Sequence, residues 1–247
     1  MTASDQNPDS SPETDNAPLA PVAVNVLLAA TNALPMPLAP GAGVPSALAA
    51  RQPRFFVGLV GAPDVSTVRF ASVERPLLNL GLTLEYQLTN RLRISTGLLR
   101  ANKEYYARRE DYDWTNYPRA QTRDITWVEG KCTVLDVPLN LRYDALVRNN
   151  ARWFGAAGLS SFFMQRENYN YEYLEGGVYK PWDMPGLVNA NHHLFSVLNL
   201  SAGYERSLGR HWRLQGEPYF KVPLGGVGAG KVKLTSAGVF LGVKYGF

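Results

Sequence analysis

A single cysteine, Cys132, stands in the 247 residues. No disulfide can form within the chain, so its fold must hold by packing and hydrogen bonding alone. Long hydrophobic runs are missing too. A membrane-spanning helix needs roughly 20 consecutive apolar residues, and the best stretch, Val22 to Leu34, is shorter and broken by Asn25, Thr31 and Asn32. That excludes a helical span within this sequence. It leaves strand-built membrane proteins open, because a transmembrane strand hides its apolar residues by alternation.

The first fifty residues lack both bases and aromatics. Asp5, Asp9, Glu13 and Asp15 give the start the opposite sign to the basic region of a signal peptide. An exported chain needs such a signal, so the sequence is read as a mature form or as the C-terminal part of a longer precursor. The same stretch holds eight of the 17 prolines. Segments such as Leu34 to Pro40 cannot join a sheet ladder and favour extended polyproline-like backbone. Residues 1–50 are therefore expected to be a disordered Pro/Ala-rich periplasmic tail or linker, with a β-domain over 51–247. Net charge is +4, and with four acids and no base before residue 51 the remainder carries +8. Its bases are scattered singly, without the basic run that a nucleic-acid footprint requires, and no nucleic-acid partner is expected.

From Arg54 onward the dominant signal is a period of two, the mark of a strand with two unlike faces. Leu78, Leu80, Leu82, Leu84, Tyr86 and Leu88 share one face against Asn79, Gly81, Thr83, Glu85 and Gln87. Leu135, Val137, Leu139, Leu141 and Tyr143 oppose Asp136, Pro138, Asn140 and Arg142. Leu198, Leu200, Ala202 and Tyr204 oppose Asn199, Ser201, Gly203 and Glu205. Eight such segments begin near Arg54, Leu77, Arg91, Ile125, Ala151, Leu194, Trp212 and Lys233. Short links at Thr89–Asn90, Val147–Asn150 and Leu208–His211 alternate with connections of about 12, 20 and 27 residues, and the last, Gly225–Gly230, is intermediate. This is the connectivity of an up-and-down barrel with short periplasmic turns and long external loops. The sequence thus predicts an all-β fold, an eight-stranded antiparallel transmembrane β-barrel in the bacterial outer membrane, with both termini periplasmic.

A soluble barrel also alternates, but its outer face is charged. Here the polar face is mostly Gly, Ser, Thr and Asn, which suits a narrow filled lumen, while the Leu/Val/Tyr faces suit lipid. Tyr86, Tyr143, Tyr204, Tyr245 and Phe247 fall at the turn-side ends of their strands, as an interfacial aromatic girdle requires. With the polar face inward, Glu85, Asp136, Glu205 and Glu217 meet Arg93, Arg142, Arg213, Lys221 and Lys244. Four acids against five bases is nearly neutral, and an eight-stranded barrel is just wide enough to be filled by its own side chains. A paired network plugging the lumen is expected. Pro138 and Pro218 lie within strands and are expected to mark bulges or bends.

Val239, Leu241, Val243, Tyr245 and the terminal Phe247 together resemble the C-terminal recognition signal of bacterial outer-membrane barrels. That resemblance implies the barrel-insertion machinery as a partner during biogenesis. Leu135–Tyr143, Gly158–Met164, Glu217–Leu224 and Gly242–Phe247 resemble strands of the PorT-like outer-membrane barrel domains of Bacteroidota, over roughly residues 54–247. Membership would imply fold and compartment and no single activity.

Two further groups are candidates for function. Tyr105, Tyr106, Tyr112, Trp114 and Tyr117 crowd one external loop, and Tyr169, Tyr171, Tyr173, Tyr179 and Trp182 the next. Such aromatics compose recognition surfaces, but the spacing of Tyr169, Tyr171 and Tyr173 also fits strands that continue above the bilayer. His192 and His193, near Asp183, would sit at the external rim, where general acid–base work needs a His–acid pair within hydrogen-bond reach. A two-histidine cluster is a weak metal candidate, and no cofactor or metal is assigned. The leading expectation is a non-enzymatic structural or interaction module in the lipid bilayer. The alternatives are a binding or transport component using the Tyr-rich loops to engage an outer-membrane or periplasmic protein, and a rim-located hydrolase or acyltransferase.

Overall fold

A computed structural model describes residues 53–69, 75–115 and 122–247. The tail expected over 1–50 and the nominated Tyr117 lie outside these. Ten strands follow in order: β1 (Phe55–Val68), β2 (Leu77–Gln87), β3 (Leu92–Arg108), β4 (Asp124–Arg148), β5 (Ala151–Glu175), β6 (Val178–Asp183), β7 (Leu187–Val188), β8 (His192–Leu208), β9 (Trp212–Pro223) and β10 (Leu234–Gly246). A single 3₁₀ turn, Arg109–Asp111, follows β3.

Eight of them close into a barrel. Each of β2 to β5 pairs with its predecessor, β8 pairs β5, β9 pairs β8, β10 pairs β9, and β10 returns to β1. All pairings are antiparallel. The seam runs from Phe56 opposite Gly246 to Val68 opposite Leu234. At its end the Phe247 amide donates to the Phe55 carbonyl at 2.9 Å and the Arg54 amide to the Phe247 carbonyl at 3.2 Å. Closure leaves no open edge in the ring, the condition for placing strands in a solvent that cannot hydrogen-bond.

Burial alternates along the strands of the ring and sets the inside against the outside. On β1, Phe56, Gly58, Val60, Ala62 and Asp64 are buried while Phe55, Val57 and Leu59 are exposed. Outward positions form an apolar belt, with Leu59 67% exposed, Leu80 59% and Leu241 58%. Buried positions include Glu85, Arg93, Asp136, Arg142, Glu205, Arg213, Lys221 and Lys244. A barrel facing water would have the reverse arrangement, so the belt is a surface for lipid. No helix among the described residues is long and apolar enough to cross a membrane; strands are what can cross here.

The belt ends where outward residues turn polar. On β4 the outward row passes from Tyr143, Leu141, Leu139, Val137 and Leu135 to Thr133, Lys131 and Glu129. Nine residues, Leu135 to Tyr143, match the roughly 9–11 that a tilted strand needs to cross. At the turn end, Phe55 meets Tyr86 with ring centroids 4.7 Å apart, Trp153 meets Tyr204 at 5.0 Å, and Trp212 meets Tyr245 at 5.1 Å. The aromatics nominated for the girdle gain Phe55, Trp153 and Trp212 as neighbours.

Two expectations are corrected. The connection after the fifth strand is not a 27-residue loop. β5 continues to Glu175, turns at Gly176 and Gly177, both at positive φ, and returns as β6. Buried Tyr169 and Tyr171 alternate with exposed Asn168, Asn170 and Glu172, so the period of two simply persists beyond the membrane. Nor do the strand prolines make bulges. The register shifts lie between Ile125 and Trp127, Thr133 and Val134, and Asp144 and Leu146 on β4, and between Ser160 and Phe162 on β5. Around Pro138 the β3–β4 ladder resumes in the same register, Thr96 opposite Leu139 and Leu99 opposite Asp136. The Thr96 hydroxyl donates to the Pro138 carbonyl at 2.8 Å, so the carbonyl finds a donor where the ladder lapses.

Close strand packing predicts the effect of two glycine substitutions. A Cβ on Gly158 would stand 2.1 Å from the Leu139 carbonyl oxygen, whereas one on Gly216 meets nothing within 4 Å. Gly158→Val should lower the heat-modifiable gel transition of the refolded barrel, with a loss of about 1–3 kcal/mol for a forced backbone shift. Gly216→Ala should migrate and melt as wild type.

Candidate functional site

The lumen is built in three layers, and the first lies at the turn end. Glu205 on β8 is its hub. Its carboxylate accepts from Arg93 Nη1, Arg142 Nη1 and Arg213 Nη1, each at 3.0 Å. Three strands, β3, β4 and β9, thus send a guanidinium to one acid. Glu85 on β2 pairs with Lys244 on β10 and, at 3.4 Å, with Arg93. Asp144 takes Arg142 Nε at 3.0 Å, Arg152 at 2.8 Å and Arg93 Nη2 at 3.1 Å. Gln215 accepts from Arg142 at 3.0 Å and from Lys244. Phe56 lies between two guanidiniums, Arg213 4.0 Å and Arg93 5.3 Å from the ring centroid, and Arg142 lies 3.4 Å from Phe154. These faces cover charge without adding another ion.

Further along the axis, ion pairs replace the network. Lys103 joins Asp64, which also accepts from the Tyr219 hydroxyl at 2.8 Å. Lys221 joins Asp136. Ser66 and Ser236 hydroxyls meet at 2.9 Å, and Tyr219 stacks on Phe240 at 4.1 Å. Glu217 accepts from Ser201 Oγ at 2.6 Å and from Gln215 Nε2. Between this layer and the first is a cavity of about 50 Å³ lined by Thr83, Glu85, Asn140, Glu217 and Lys244. That is space for a few waters.

The loop end is closed by rings and by the glycine loop. Tyr105, Tyr112, Tyr169 and Tyr171 are buried, with Tyr112 and Tyr171 hydroxyls 3.1 Å apart. Trp114 packs on Tyr112 at 4.5 Å and donates its indole N–H to the Arg109 carbonyl at 2.8 Å. Arg123 sits over Tyr173 at 4.6 Å and Trp182 at 4.5 Å. The loop between β9 and β10 folds into this mouth. Val227 and Val232 face each other across an isolated bridge and are fully buried. Gly228, at φ +73°, donates its amide to His193 Nε2 at 2.9 Å, and Ala229 donates to Glu167 Oε2 at 3.0 Å. Gly230 lies against Tyr112 so closely that a Cβ would sit 2.1 Å from the ring. From the β3–β4 loop, the Asp113 amide donates to the Gly230 carbonyl at 2.8 Å and its carboxylate pairs with Lys231 at 2.9 Å. The Thr115 hydroxyl and Lys231 together hold the Asp113 carboxyl well below the usual range.

These placements bear unevenly on the candidates. Glu85, Arg93, Arg142, Glu205, Arg213 and Lys244 come together in one layer, with Glu217 reached through Gln215. Asp136 and Lys221 form a separate pair nearer the loop end. The structure adds Asp64, Lys103, Asp144 and Arg152. Lys103 was legible, since it extends the inward row of Arg93, Ser95, Gly97, Leu99 and Ala101. Asp64 was masked by a row that is otherwise apolar, and Asp144 by a strand taken to end at Tyr143.

The Tyr-rich external binding surface is corrected. Tyr105, Tyr112, Tyr169 and Tyr171 point into the barrel and are at most 5% exposed; a phenol ring placed on the inward row above the belt has no other apolar environment. Tyr106, on the other side of β3 from Tyr105, faces outward, its hydroxyl donating to Glu129 at 3.2 Å. The histidine–aspartate pair does not form either. Asp183 lies opposite Asn170 and His192 opposite Phe163 on β5, seven residues apart (170 less 163), or roughly 20 Å at strand rise. His193 serves the glycine loop, and His192 lies beside the Phe163 ring at 5.7 Å. No cluster of three or more metal-ligating side chains occurs among the described residues.

No family model matches the chain, and no curated protein matches it. Solved structures are similar in fold. Neisserial surface protein A has 13% identity and a TM-score of 0.46 over 78% of this chain and 97% of that one. Ail, the attachment invasion locus protein of Yersinia pestis, has 9% identity and a TM-score of 0.40 over 80% and 100%. The outer membrane protein OprG from Pseudomonas aeruginosa has 10% identity and a TM-score of 0.43 over 80% and 97%. At these scores the likeness adds nothing to what the strand pairing itself shows, a closed eight-stranded antiparallel barrel.

Two substitutions test the lumen. Glu205→Leu strips three buried guanidiniums of their common acid and should cost about 3–5 kcal/mol in an unfolding titration. The paired change Asp136→Leu with Lys221→Met should cost less than either single change, because no uncompensated charge remains. Cys132 supplies a third. Burial pushes its thiol up to about 12, so a maleimide should label the unfolded chain and spare the folded barrel at neutral pH.

Proposed function

We propose that this chain is a bacterial outer-membrane barrel whose lumen is closed, and that it serves as a structural or interaction module instead of a channel or an enzyme. One observation carries the reading: the outside is an apolar belt, while the inside is occupied along its length by paired charges, rings and a folded-in loop. Both ends are obstructed. The Glu205 hub spans the turn end, and the Val227–Val232 loop occupies the other. A transported solute would have to break several buried ion pairs, each costly to separate.

What remains for engagement is the part beyond the belt. β4 and β5 are 25 residues each, more than twice the length needed to cross. Their upper halves, with β3 and β6, form a sheet standing outside the membrane. Its exposed residues include Trp127, Leu174, Val178 and Tyr179. These, rather than the buried tyrosines, are the residues available to a protein partner. In this orientation the short turns, Phe55 and Phe247 face the periplasm. Val239, Leu241 and Val243 present the apolar outer face of the closing strand, which supports the reading of Val239–Phe247 as the signal used by the insertion machinery.

Purified barrel reconstituted in planar bilayers should give no resolvable single-channel steps, while the same sample shows a heat-modifiable gel shift and strand-dominated dichroism. Steady conductance from folded protein would refute the closed-lumen reading. A chain that stays monomeric in buffer without detergent would refute the membrane reading itself.

A further inference from the structure

The height of the apolar belt differs around the barrel. Counted from the turn-end ring, it runs from Trp212 to Leu224 on β9 and from Tyr204 to Leu194 on β8, where Leu224 and Leu194 are still 61% and 64% exposed. On β3 it stops after Leu98, and the next outward residue is Arg100. On β5 the first charged outward residue is Arg166, and on β4 it is Lys131. All three are exposed bases on adjacent strands, immediately above the apolar face.

The register brings them onto one patch. Arg166 lies opposite Thr133, and Thr133 opposite Asn102. Two strand spacings separate Arg166 from Asn102, about 10 Å, and Arg100 is two residues below Asn102, about 7 Å. Long arginine arms close such gaps. The acids on this face are already engaged. Lys131 pairs with Glu104 at 3.1 Å and Glu129 at 2.7 Å, and Arg75 reaches Glu104 at 3.6 Å. Arg100 and Arg166 have no acidic partner within ion-pair distance among the described residues. Beside Arg166 opens a cleft of about 280 Å³ lined by Asn102, Glu104, Lys131, Thr133, Arg166 and Asn168, whose one acid, Glu104, is already paired with Lys131.

We infer that this basic patch, Arg100 and Arg166 with the cleft beside them on the β3–β5 face, binds the anionic phosphate-monoester headgroup of an outer-leaflet lipid. The inference rests on the membrane reading above, since it is the end of the apolar belt that puts these bases at headgroup depth. Guanidinium is suited to the task, because its planar fork matches phosphate oxygens two at a time. Basic pockets at this level recognise anionic headgroups in the same way. The lipid's acyl chains would lie along Leu98, Leu135 and Phe163, the outward residues directly below. The neighbouring β8–β9 face, where Leu194 and Leu224 carry the apolar surface higher, offers no such cluster among the described residues.

The test uses the full chain in phosphatidylcholine nanodiscs with and without one part in ten of diphosphoryl lipid A. Insertion into plain discs, read by the gel shift, reports the membrane reading alone; a chain that does not insert sinks both proposals. With lipid A, the unfolding midpoint of wild type should rise by several degrees and the rise should shrink with added salt. Arg100→Gln with Arg166→Gln should abolish the rise while leaving the midpoint in plain discs unchanged, and Arg100→Lys with Arg166→Lys should retain part of it. An equal rise in the Gln variant overturns the site. So does an equal rise produced by 50 mM inorganic phosphate in plain discs, which would make the ligand a free anion and not a lipid.

Discussion

A guanidinium inside a closed barrel has little water to share its charge, and the arrangement of this molecule follows from that constraint. Burying an unpaired ion is expensive, and a pair survives only with good geometry and further hydrogen bonds. Here one carboxylate, Glu205, receives three arginines from three different strands. Asp144 pairs with Arg142 Nε and Arg93 Nη2, and Glu85 pairs with Lys244. Because each arm originates on a separate strand, the network works as a cross-brace. Any slip of one strand by a single residue would turn its arginine toward lipid, so the ion pairs fix register as well as filling space.

The same constraint explains how composition changes along the axis. Near the turn end, charges are many and held by aromatic faces such as Phe56 and Phe154. In the middle they thin to two Lys–Asp pairs with serine and tyrosine hydroxyls and asparagine amides between. Beyond the belt, water lies outside the wall, and the polarity of the two faces inverts. Tyr105, Tyr169, Tyr171, Val128 and Ile125 form an apolar core within, while Glu104, Glu129 and Lys131 pair on the outer surface. The chain is thus a membrane barrel below and an ordinary water-facing sheet above, joined without a break in β4 and β5.

How much of this was legible follows from the same inversion. Strands with one polar and one apolar face, such as Leu77–Gln87 and Leu234–Gly246, could be read directly, and so could the short turns between them. The inward ionic residues could be listed because a charge in an otherwise small-residue row is conspicuous. The upper halves of β4 and β5 resisted, since tyrosine is at home both on a recognition loop and in a core. Only the pairing of Tyr169 opposite Gly130 and Tyr171 opposite Val128 decides which side they face. Asp144 continues the inward row of Asn140 and Arg142 in the same register, and it escapes notice only when the strand is expected to end one residue earlier, at Tyr143.

The glycine loop is where fold and function meet most closely. A run of Gly225, Gly226, Gly228 and Gly230 reads as a flexible connection, yet each close approach in the mouth depends on a missing side chain. Gly230 fits against Tyr112, Gly228 takes positive φ to reach His193, and Gly226 abuts the Lys231 carbonyl. Flexibility in sequence has become tight packing in the structure, because only glycine lets backbone approach ring and backbone so nearly. His193 and Glu167, which could have been mistaken for reactive groups, are occupied as acceptors for that backbone. Their chemistry is spent on closing the mouth, and that leaves the outer surface as the part of the molecule free to meet anything else.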